Sequence, residues 1–255
     1  MDYKNILEFS NKNVLITGGA GSLGSELARA FASCGANIII CDINEAKASE
    51  ILDDCRGYGV KANFITCDLR SVDSIKKMVG EAINLGGKID ILCNHAGFNI
   101  RKPAVEYTEE EWDALIDVDL KAIFFVAAEV GKHMISNRFG KIINTASVSA
   151  VRGHKNLSIY ASAKGGILQL TKVLAHEWAE YGINVNAIGP GYFVTQQTRE
   201  YLSQPEVRNS LLAHVPMNRF GETSDLAATV LFLASEGASY ITGQTIFIEG
   251  GRLID

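Results

Sequence analysis

Tyr160 and Lys164 are spaced four residues apart in a segment with a helical pattern of apolar residues, so both side chains would lie on one helix face. A free phenol has a pKa near 10 and is a weak base at neutral pH. An ammonium beside it favours the phenolate, so this pair could take a proton from an alcohol or return one to a carbonyl. Ser147, thirteen residues before Tyr160, could donate a hydrogen bond to the reacting oxygen.

A Tyr-xxx-Lys spacing also arises by chance, so this prediction depends on the elements that would position the residues. Short β-branched runs alternate with amphipathic segments. We predict strands at Val14–Thr17, Asn37–Asp42, Ala62–Cys67, Ile89–Cys93, Lys141–Ala146, Asn184–Ile188 and Thr245–Ile248, and helices at about Ser22–Ser33, Asn44–Cys55, Ser71–Leu85, Glu109–Ser136, Ser158–Tyr181 and Ser224–Ser235. This alternation predicts one α/β domain over residues 1–255: a Rossmann-type, doubly wound parallel sheet of about seven strands with helices on both faces.

A glycine-rich segment, Thr17–Gly24, follows the first predicted strand and leads into a helix. In such a sheet the ligand cleft lies outside the carboxyl ends of the strands. Glycines there let the backbone approach a pyrophosphate, and the helix N-terminus attracts phosphate. A tight turn between strand and helix would also need glycine, but the position favours a dinucleotide site.

Asp42, at the end of the second predicted strand, favours NAD over NADP. A carboxylate there can accept hydrogen bonds from both hydroxyls of the adenosine ribose, and it would repel a 2′-phosphate. The segment Gly18–Ser22 contains no Lys or Arg that could neutralise such a phosphate. Asp42 could also cap the helix that begins near Asn44, a role that does not exclude ribose binding.

The ordered set of motifs resembles the short-chain dehydrogenase/reductase family, from about Asn11 to Gly251. The resemblance implies that Ser147, Tyr160 and Lys164 are catalytic and that Lys164 also holds the nicotinamide ribose. It further implies a homotetramer with subunit contacts through the helices after Glu109 and before Tyr181. The matching segments are Thr17–Gly24, Asp68, Asn94-His95-Ala96-Gly97, Ser147, Tyr160-xxx-Lys164 and Pro190-Gly191. The predicted cofactor-binding residues are Gly18, Gly21, Ser22, Leu23, Gly24, Asp42, Asp68, Leu69, Asn94, Ala96, Gly97, Tyr160, Lys164, Pro190, Gly191, Phe193 and Thr195.

Two positions depart from the family pattern. Ser22 stands where the shorter-chain branch usually has its middle glycine, a spacing more usual in the extended branch. Asp119 stands where the family usually has an asparagine that completes a tetrad and supports a water in the proton relay. An ionised aspartate accepts the same hydrogen bonds but cannot donate one. We therefore place Asp119 in the catalytic site and leave its role open.

Two segments near the expected nicotinamide site, Gly97–Tyr107 and Gly189–Val215, are the predicted substrate loops. They look most like the gluconate 5-dehydrogenase and 2-deoxygluconate 3-dehydrogenase branch of the family. A sugar acid needs a cation for its carboxylate, ideally a bidentate guanidinium. Arg101 and Arg152 are the candidates, although either could be a surface or subunit-contact residue. The remaining tentative substrate residues are His154 and Tyr192.

Composition narrows the class of protein. The net charge is −5, so the chain lacks the excess of positive charge that binding to nucleic acid or to an anionic membrane requires. The five cysteines are scattered without a CxxC pair, and the first residues lack a signal-peptide pattern, so we expect reduced thiols and a cytoplasmic location. The apolar runs are strand-sized, too short for a membrane span. The histidines show no metal-ligand spacing, so we expect no catalytic metal.

Three functions remain open. The leading hypothesis is an NAD-dependent oxidoreductase that interconverts a secondary alcohol and a ketone on a gluconate-like sugar acid or a related polyol. The second is a 3-oxoacyl thioester reductase, against which the missing basic residue for a 2′-phosphate counts. The third is a catalytically silent NAD-binding sensor or scaffold, for which Asp119 is the reason. A hydrolase is disfavoured because the chain has no GxSxG segment, and it also lacks a Walker A motif.

Overall fold

The computed structural model describes residues 5–195 and 198–254 of the chain. Within them, the strands are β1 (Asn13–Thr17), β2 (Asn37–Asp42), β3 (Ala62–Thr66), β4 (Ile91–Asn94), β5 (Gly140–Thr145), β6 (Ile183–Pro190) and β7 (Thr245–Ile248). These seven parallel strands form one sheet in the order β3-β2-β1-β4-β5-β6-β7. This confirms the predicted Rossmann-type sheet.

Helices cover both faces because successive side chains of each strand point to opposite sides. The helices are α1 (Ser22–Ser33), α2 (Glu45–Gly57), α3 (Val72–Gly86), α4 (Glu109–Ile116), α5 (Ala122–Asn137), α6 (Ser158–Trp178), α7 (Arg199–Ser203), α8 (Pro205–Leu212) and α9 (Thr223–Ala234). Val14 and Ile16 of β1 belong to the apolar core beneath α1, α2 and α9. Leu15, between them, belongs to a second core beneath α3, α5 and α6.

The segment that the sequence predicts as one long helix, Glu109–Ser136, is divided by a turn of π-helix at Asp117–Lys121. A π turn accommodates an extra residue and redirects the side chains on it, and such turns occur frequently at functional sites. Here the turn carries Asp119, whose side chain is fully buried. The break between α4 and α5 therefore brings an acidic group into the interior.

The second predicted substrate loop, Gly189–Val215, is partly helical. It contains α7 and α8, and Pro205 occupies the first turn of α8, where its missing N–H costs no hydrogen bond. The first substrate loop, Gly97–Tyr107, remains irregular except for a short 3₁₀ turn at Ala104–Glu106. The first loop follows β4, and the second begins at the end of β6. Both therefore lie at the edge of the sheet where the parallel strands end, as β1 does.

Among residues 5–195 and 198–254, none of the helices combines the length and the apolar character that a membrane span requires.

Candidate active site

A cleft of about 680 Å³ opens at the carboxyl ends of β1, β2, β3 and β4. Ten of the predicted cofactor-binding residues line it: Gly18, Gly21, Ser22, Leu23, Asp42, Asp68, Leu69, Ala96, Gly97 and Thr195. The lining also includes residues that the sequence did not single out for this role, among them Lys47, Cys67, Arg70, His95 and Phe98. The volume falls within the range of small-molecule sites, so the cleft can hold an extended ligand.

The glycine-rich segment is shaped for close backbone approach. Gly18 has a φ of +67°, and a Cβ there would lie 2.8 Å from the Cα of Ala96. A Cβ at Gly24 would overlap the carbonyl oxygen of Gly18, so this glycine lets α1 pack against the turn. Gly21 precedes α1 and provides no side-chain cap, which leaves the helix N-terminus open toward the cleft. These features fit the pyrophosphate of a dinucleotide.

Asp42 lies in the cleft and is held by backbone amides. Its Oδ2 accepts a hydrogen bond from Ala20 N at 3.1 Å, and its Oδ1 accepts from Ile43 N and Asn44 N. The side chain of Asn44 caps α2 by accepting from Lys47 N at 3.2 Å, so Asp42 is not the cap of that helix. The carboxylate is therefore fixed at the end of the cleft where β2 terminates.

Two cations also lie at this end of the cleft. Arg70 forms a bidentate ion pair with Asp68, with a shortest distance of 2.7 Å, and this pair lowers the pKa of the Asp68 carboxyl. Lys47 lines the cleft near Asp42. Sequence reasoning considered only the glycine segment as a source of cations and missed Lys47, which α2 brings to the cleft from beyond the second strand.

Some predicted cofactor residues lie elsewhere. The side chain of Asn94 is buried, where it donates to Ile123 O at 2.7 Å and accepts from Thr17 Oγ1 at 3.4 Å. Pro190 ends β6, and Gly191 packs against Glu249. Phe193 lines a second, smaller cavity of about 220 Å³. None of these residues lines the cleft. The predicted residues Gly24, Tyr160 and Lys164 are not part of its lining either.

Lys164 connects the catalytic residues that the sequence predicts. Its ammonium is buried, donates a hydrogen bond to Thr145 O at 3.1 Å and lies 5.5 Å from the centre of the Tyr160 ring. Both residues belong to the first two turns of α6. Tyr160 itself is half-buried, so its ring is backed by a fixed positive charge while its edge remains accessible.

Ser147 is oriented by its own turn. Its Oγ accepts a hydrogen bond from Ser149 N at 3.1 Å, and the residue lies two positions after the end of β5. Because a hydroxyl oxygen that accepts can still donate, the Ser147 O–H is free to point at a substrate oxygen.

Asp119 forms a buried ion pair with Lys164. Its Oδ1 lies 2.9 Å from Lys164 Nζ, and its Oδ2 accepts from Phe98 N at 3.1 Å. Oδ1 has no hydrogen bond of good geometry, so the contact is an ion pair rather than an aligned hydrogen bond. Gly97 lies against this pair, because a Cβ there would be 2.5 Å from Oδ1. The structure thus brings Asp119 into contact with the proposed catalytic lysine.

His95 lies beside the same lysine. Its Nδ1 is 2.9 Å from Thr145 Oγ1, and the ring lines the cleft. Burial, with the Lys164 charge as the second cause, lowers the pKa of His95 to about 4. The ring is therefore neutral at pH 7 and adds no charge to the site.

Three of the predicted substrate residues, His154, Arg152 and Tyr192, contact either Ser149 or Arg252. His154 Nδ1 is 2.8 Å from Ser149 Oγ, and Arg152 Nη1 donates to Arg252 O at 2.7 Å. The guanidinium of Arg252 stacks on Tyr192, 3.9 Å from the ring centre. Arg101 is exposed. No sequence pattern marks Arg252, because only the pairing of β6 with β7 brings it to Tyr192. In the ranges that the structure covers, no group of three or more His, Cys, Asp or Glu side chains could hold a metal.

Comparison with known proteins identifies the family. A family model described as enoyl-(acyl carrier protein) reductase matches residues 18–252. The 2-dehydro-3-deoxy-D-gluconate 5-dehydrogenase of Escherichia coli K12 is 35% identical over 95% of each chain. The 3-oxoacyl-(acyl-carrier-protein) reductase of Thermotoga maritima is 36% identical over 97% of this chain and 100% of that protein.

A solved gluconate 5-dehydrogenase from Burkholderia cenocepacia, in complex with NADP and tartrate, has a TM-score of 0.93 and 34% identity, with 98% of both chains covered. The chain is thus an oxidoreductase of alcohol and ketone groups with a nicotinamide cofactor. It belongs to the short-chain dehydrogenase/reductase family.

Proposed function

We propose that this protein is an NAD-dependent oxidoreductase that interconverts a secondary alcohol and a ketone on a gluconate-like sugar acid or a related polyol. The arrangement of Ser147, Tyr160 and Lys164 carries this proposal, because Lys164 Nζ is fixed 5.5 Å from the Tyr160 ring beside the cleft. A bound nicotinamide supplies or accepts the hydride.

The protein side chains transfer the proton and stabilise the negative charge that develops on the substrate oxygen. In the oxidation, Tyr160 takes the proton of the alcohol, and in the reduction it returns one to the carbonyl oxygen. Lys164, held by Thr145 O, favours the phenolate and would also hold the nicotinamide ribose. Ser147 donates to the substrate oxygen, with its Oγ already fixed by Ser149 N.

Asp42 supports NAD rather than NADP. A fixed carboxylate suits two ribose hydroxyls and repels a 2′-phosphate. The solved relative holds NADP and Lys47 lies in this cleft, so the two cofactors must be compared directly.

The sugar-acid class is supported by the names of the E. coli and B. cenocepacia relatives and by the tartrate, a dicarboxylate, in the latter. The second candidate, reduction of a 3-oxoacyl thioester, is supported by the T. maritima relative at nearly the same identity. The silent-protein hypothesis rests on Asp119 alone.

The test is NADH absorbance with aldonates, their keto forms, polyols and a 3-oxoacyl thioester. Tyr160→Phe should lower kcat by about 100-fold or more on an accepted substrate, as expected for the loss of a general acid–base. Tyr58→Phe, an exposed tyrosine at the end of α2, is the control and should keep wild-type kcat. Full turnover by Tyr160→Phe would refute the mechanism. Turnover of the thioester alone would favour the second candidate, and tight NAD binding with no turnover would favour a sensor.

A homotetramer is supported by the family resemblance, and a cytoplasmic location is supported by the five free cysteines. The segments expected at the subunit contacts expose large apolar side chains: Trp112 on α4, Phe124 on α5 and Val173 on α6. Light scattering after size exclusion tests the assembly, and a monomeric mass would contradict it.

A further inference from the structure

Arg252, in the turn after β7, carries a buried guanidinium that is only partly satisfied. The residue is 4% exposed and stacks on Tyr192. Its Nη2 lies 2.7 Å from His154 Nε2, while Nε and Nη1 have no hydrogen-bond partner. Buried polar groups are nearly always hydrogen-bonded, and a guanidinium keeps its charge at any physiological pH. A buried cation with free donors is suited to an anion.

The neighbour of Arg252 cannot balance its charge. A guanidinium only donates, so His154 Nε2 accepts, and His154 Nδ1 then carries the hydrogen that is donated to Ser149 Oγ. Burial, followed by the charges of Arg252, Arg101 and Arg152, lowers the pKa of His154 to about 4. The ring is therefore neutral at pH 7.

The positive charges of Arg252, Arg101 and Arg152 all lie close enough to His154 to lower its pKa, and none of the three arginines is paired with a carboxylate in the part of the chain that the structure describes. Within residues 5–195 and 198–254, none of Arg101, Arg152 and Arg252 forms a salt bridge. Arg152 is tied to the main chain of Arg252 through the 2.7 Å hydrogen bond to its carbonyl, so the two residues are held together.

A short chain of hydrogen bonds connects this region to the proposed catalytic serine. Arg252 donates to His154, His154 donates to Ser149 Oγ, and Ser149 N donates to Ser147 Oγ at 3.1 Å. We propose that Arg252, with Arg152 and Arg101 beside it, binds the carboxylate of the substrate whose carbinol or carbonyl oxygen meets Ser147 and Tyr160. This inference rests on the proposed function, because it assigns the sugar-acid carboxylate to a particular guanidinium.

The planar guanidinium matches a carboxylate in two parallel hydrogen bonds, and stacking on Tyr192 fixes its plane. The sequence points to Arg101 and Arg152 for this contact. Arg101 is exposed, and one Nη1 donor of Arg152 is already in use, so they would add positive potential while Arg252 makes the contact.

The test compares D-gluconate with D-gluconamide, in which a neutral amide replaces the carboxylate. Calorimetry on the enzyme saturated with reduced cofactor gives Kd for each ligand, and steady-state rates give kcat/KM. For Arg252→Gln we expect gluconate binding to weaken by about 30- to 100-fold, as for the loss of charged hydrogen bonds, with gluconamide changed less than 3-fold. Arg252→Lys should lie between the two, because it keeps the charge and loses the planar fork.

Arg138→Gln is the matched control. Arg138 also stacks on a tyrosine, Tyr181, and donates to a main-chain oxygen, but it precedes β5 at the opposite edge of the sheet. This variant should bind both ligands like the wild type. An equal loss for gluconate and gluconamide in Arg252→Gln, or a loss of the subunit assembly by light scattering, would show a structural role and refute the carboxylate site.

The proposed function and this inference fail separately. Gluconate binding that depends on Arg252, without turnover of any aldonate, would refute the proposed function and support the carboxylate site. Turnover of aldonates that Arg252→Gln leaves unchanged would support the proposed function and overturn the carboxylate site.

Discussion

Replacing Asp119 with asparagine should move the pH profile of the enzyme to lower pH. Asp119 places a negative charge 2.9 Å from Lys164 Nζ, in the same buried cluster as Tyr160. That charge opposes the effect of the lysine, because a carboxylate repels the phenolate that the ammonium stabilises. Asparagine has the same shape, but its single carbonyl oxygen can either face Lys164 Nζ or accept from Phe98 N. The substitution therefore removes the charge and one of the two contacts.

The size of the effect follows from the distances. Lys164 Nζ lies 2.9 Å from Asp119 Oδ1 and 5.5 Å from the Tyr160 ring centre, so the carboxylate is at most about 8.4 Å from that centre. With an effective dielectric constant of about 20, two unit charges at that separation interact by about 2 kcal/mol, and stronger screening in the open cleft gives about 1 kcal/mol. The expected displacement is therefore about one pH unit.

The assay is kcat/KM against pH in both directions. Oxidation needs the phenolate and rises with pH, whereas reduction needs the phenol and falls with pH. In Asp119→Asn both limbs should move down by about one unit, a joint displacement that a loss of packing alone would not produce. Asp117→Asn is the control: it removes the same charge from the same π turn, where Asp117 pairs with Lys121 near the surface. Limbs that stay in place, or that move to higher pH, would refute the reasoning.

Three further predictions concern cofactor, packing and pH. Asp42→Asn should lower the ratio of kcat/KM for NAD to that for NADP by about 10-fold, as expected from about 1.4 kcal/mol of lost repulsion, and an unchanged ratio would contradict the ribose role. Denaturant titration should show Gly24→Ala less stable by about 1–3 kcal/mol, whereas Gly80→Ala, with open space at its Cβ, gains up to about 1 kcal/mol. The unfolding free energy should fall as pH drops from about 6.5 to 4, because His95 and His154 have pKa values of about 4 when folded and 6.5 otherwise, and the unfolded chain then binds more protons. His154→Gln should reduce that slope.

The sheet can be predicted from the sequence because the chain contains seven short apolar runs separated by amphipathic segments. Val14–Thr17 and Asn37–Asp42 are visible in the sequence within one residue of the observed strands. The π turn at Asp117–Lys121 was not, because the apolar pattern continues through it into α5 and no residue type marks an i to i+5 hydrogen bond. Its position decides that Asp119 is buried against Lys164, 45 residues away along the chain.

In the candidate site, contacts within one helix can also be predicted from the sequence, whereas contacts that depend on the order of the strands cannot. Tyr160 and Lys164 share one helix, so their spacing alone places them together. Arg252 and His154 are 98 residues apart and meet only because β7 pairs with β6 beside the turn that follows β5. Such contacts depend on strand order, which local patterns do not contain. The sequence indicates the need for a guanidinium. It points to Arg152, which is close to Ser147 along the chain, and to Arg101, which lies in the first predicted substrate loop.

The Asp119–Lys164 ion pair and the Arg252 guanidinium together determine where an acidic substrate would bind. Lys164 is the cation nearest to the proposed reacting oxygen, and without a partner it would attract the carboxylate of a sugar acid away from Arg252. Asp119 neutralises it across 2.9 Å, so the buried cation without an anionic partner in this region is Arg252. An acidic substrate would then bind with its carboxylate at Arg252 and its carbinol at Tyr160. It follows that Asp119→Asn should introduce inhibition at high gluconate concentration, through unproductive binding at Lys164, and that gluconamide should cause no such inhibition.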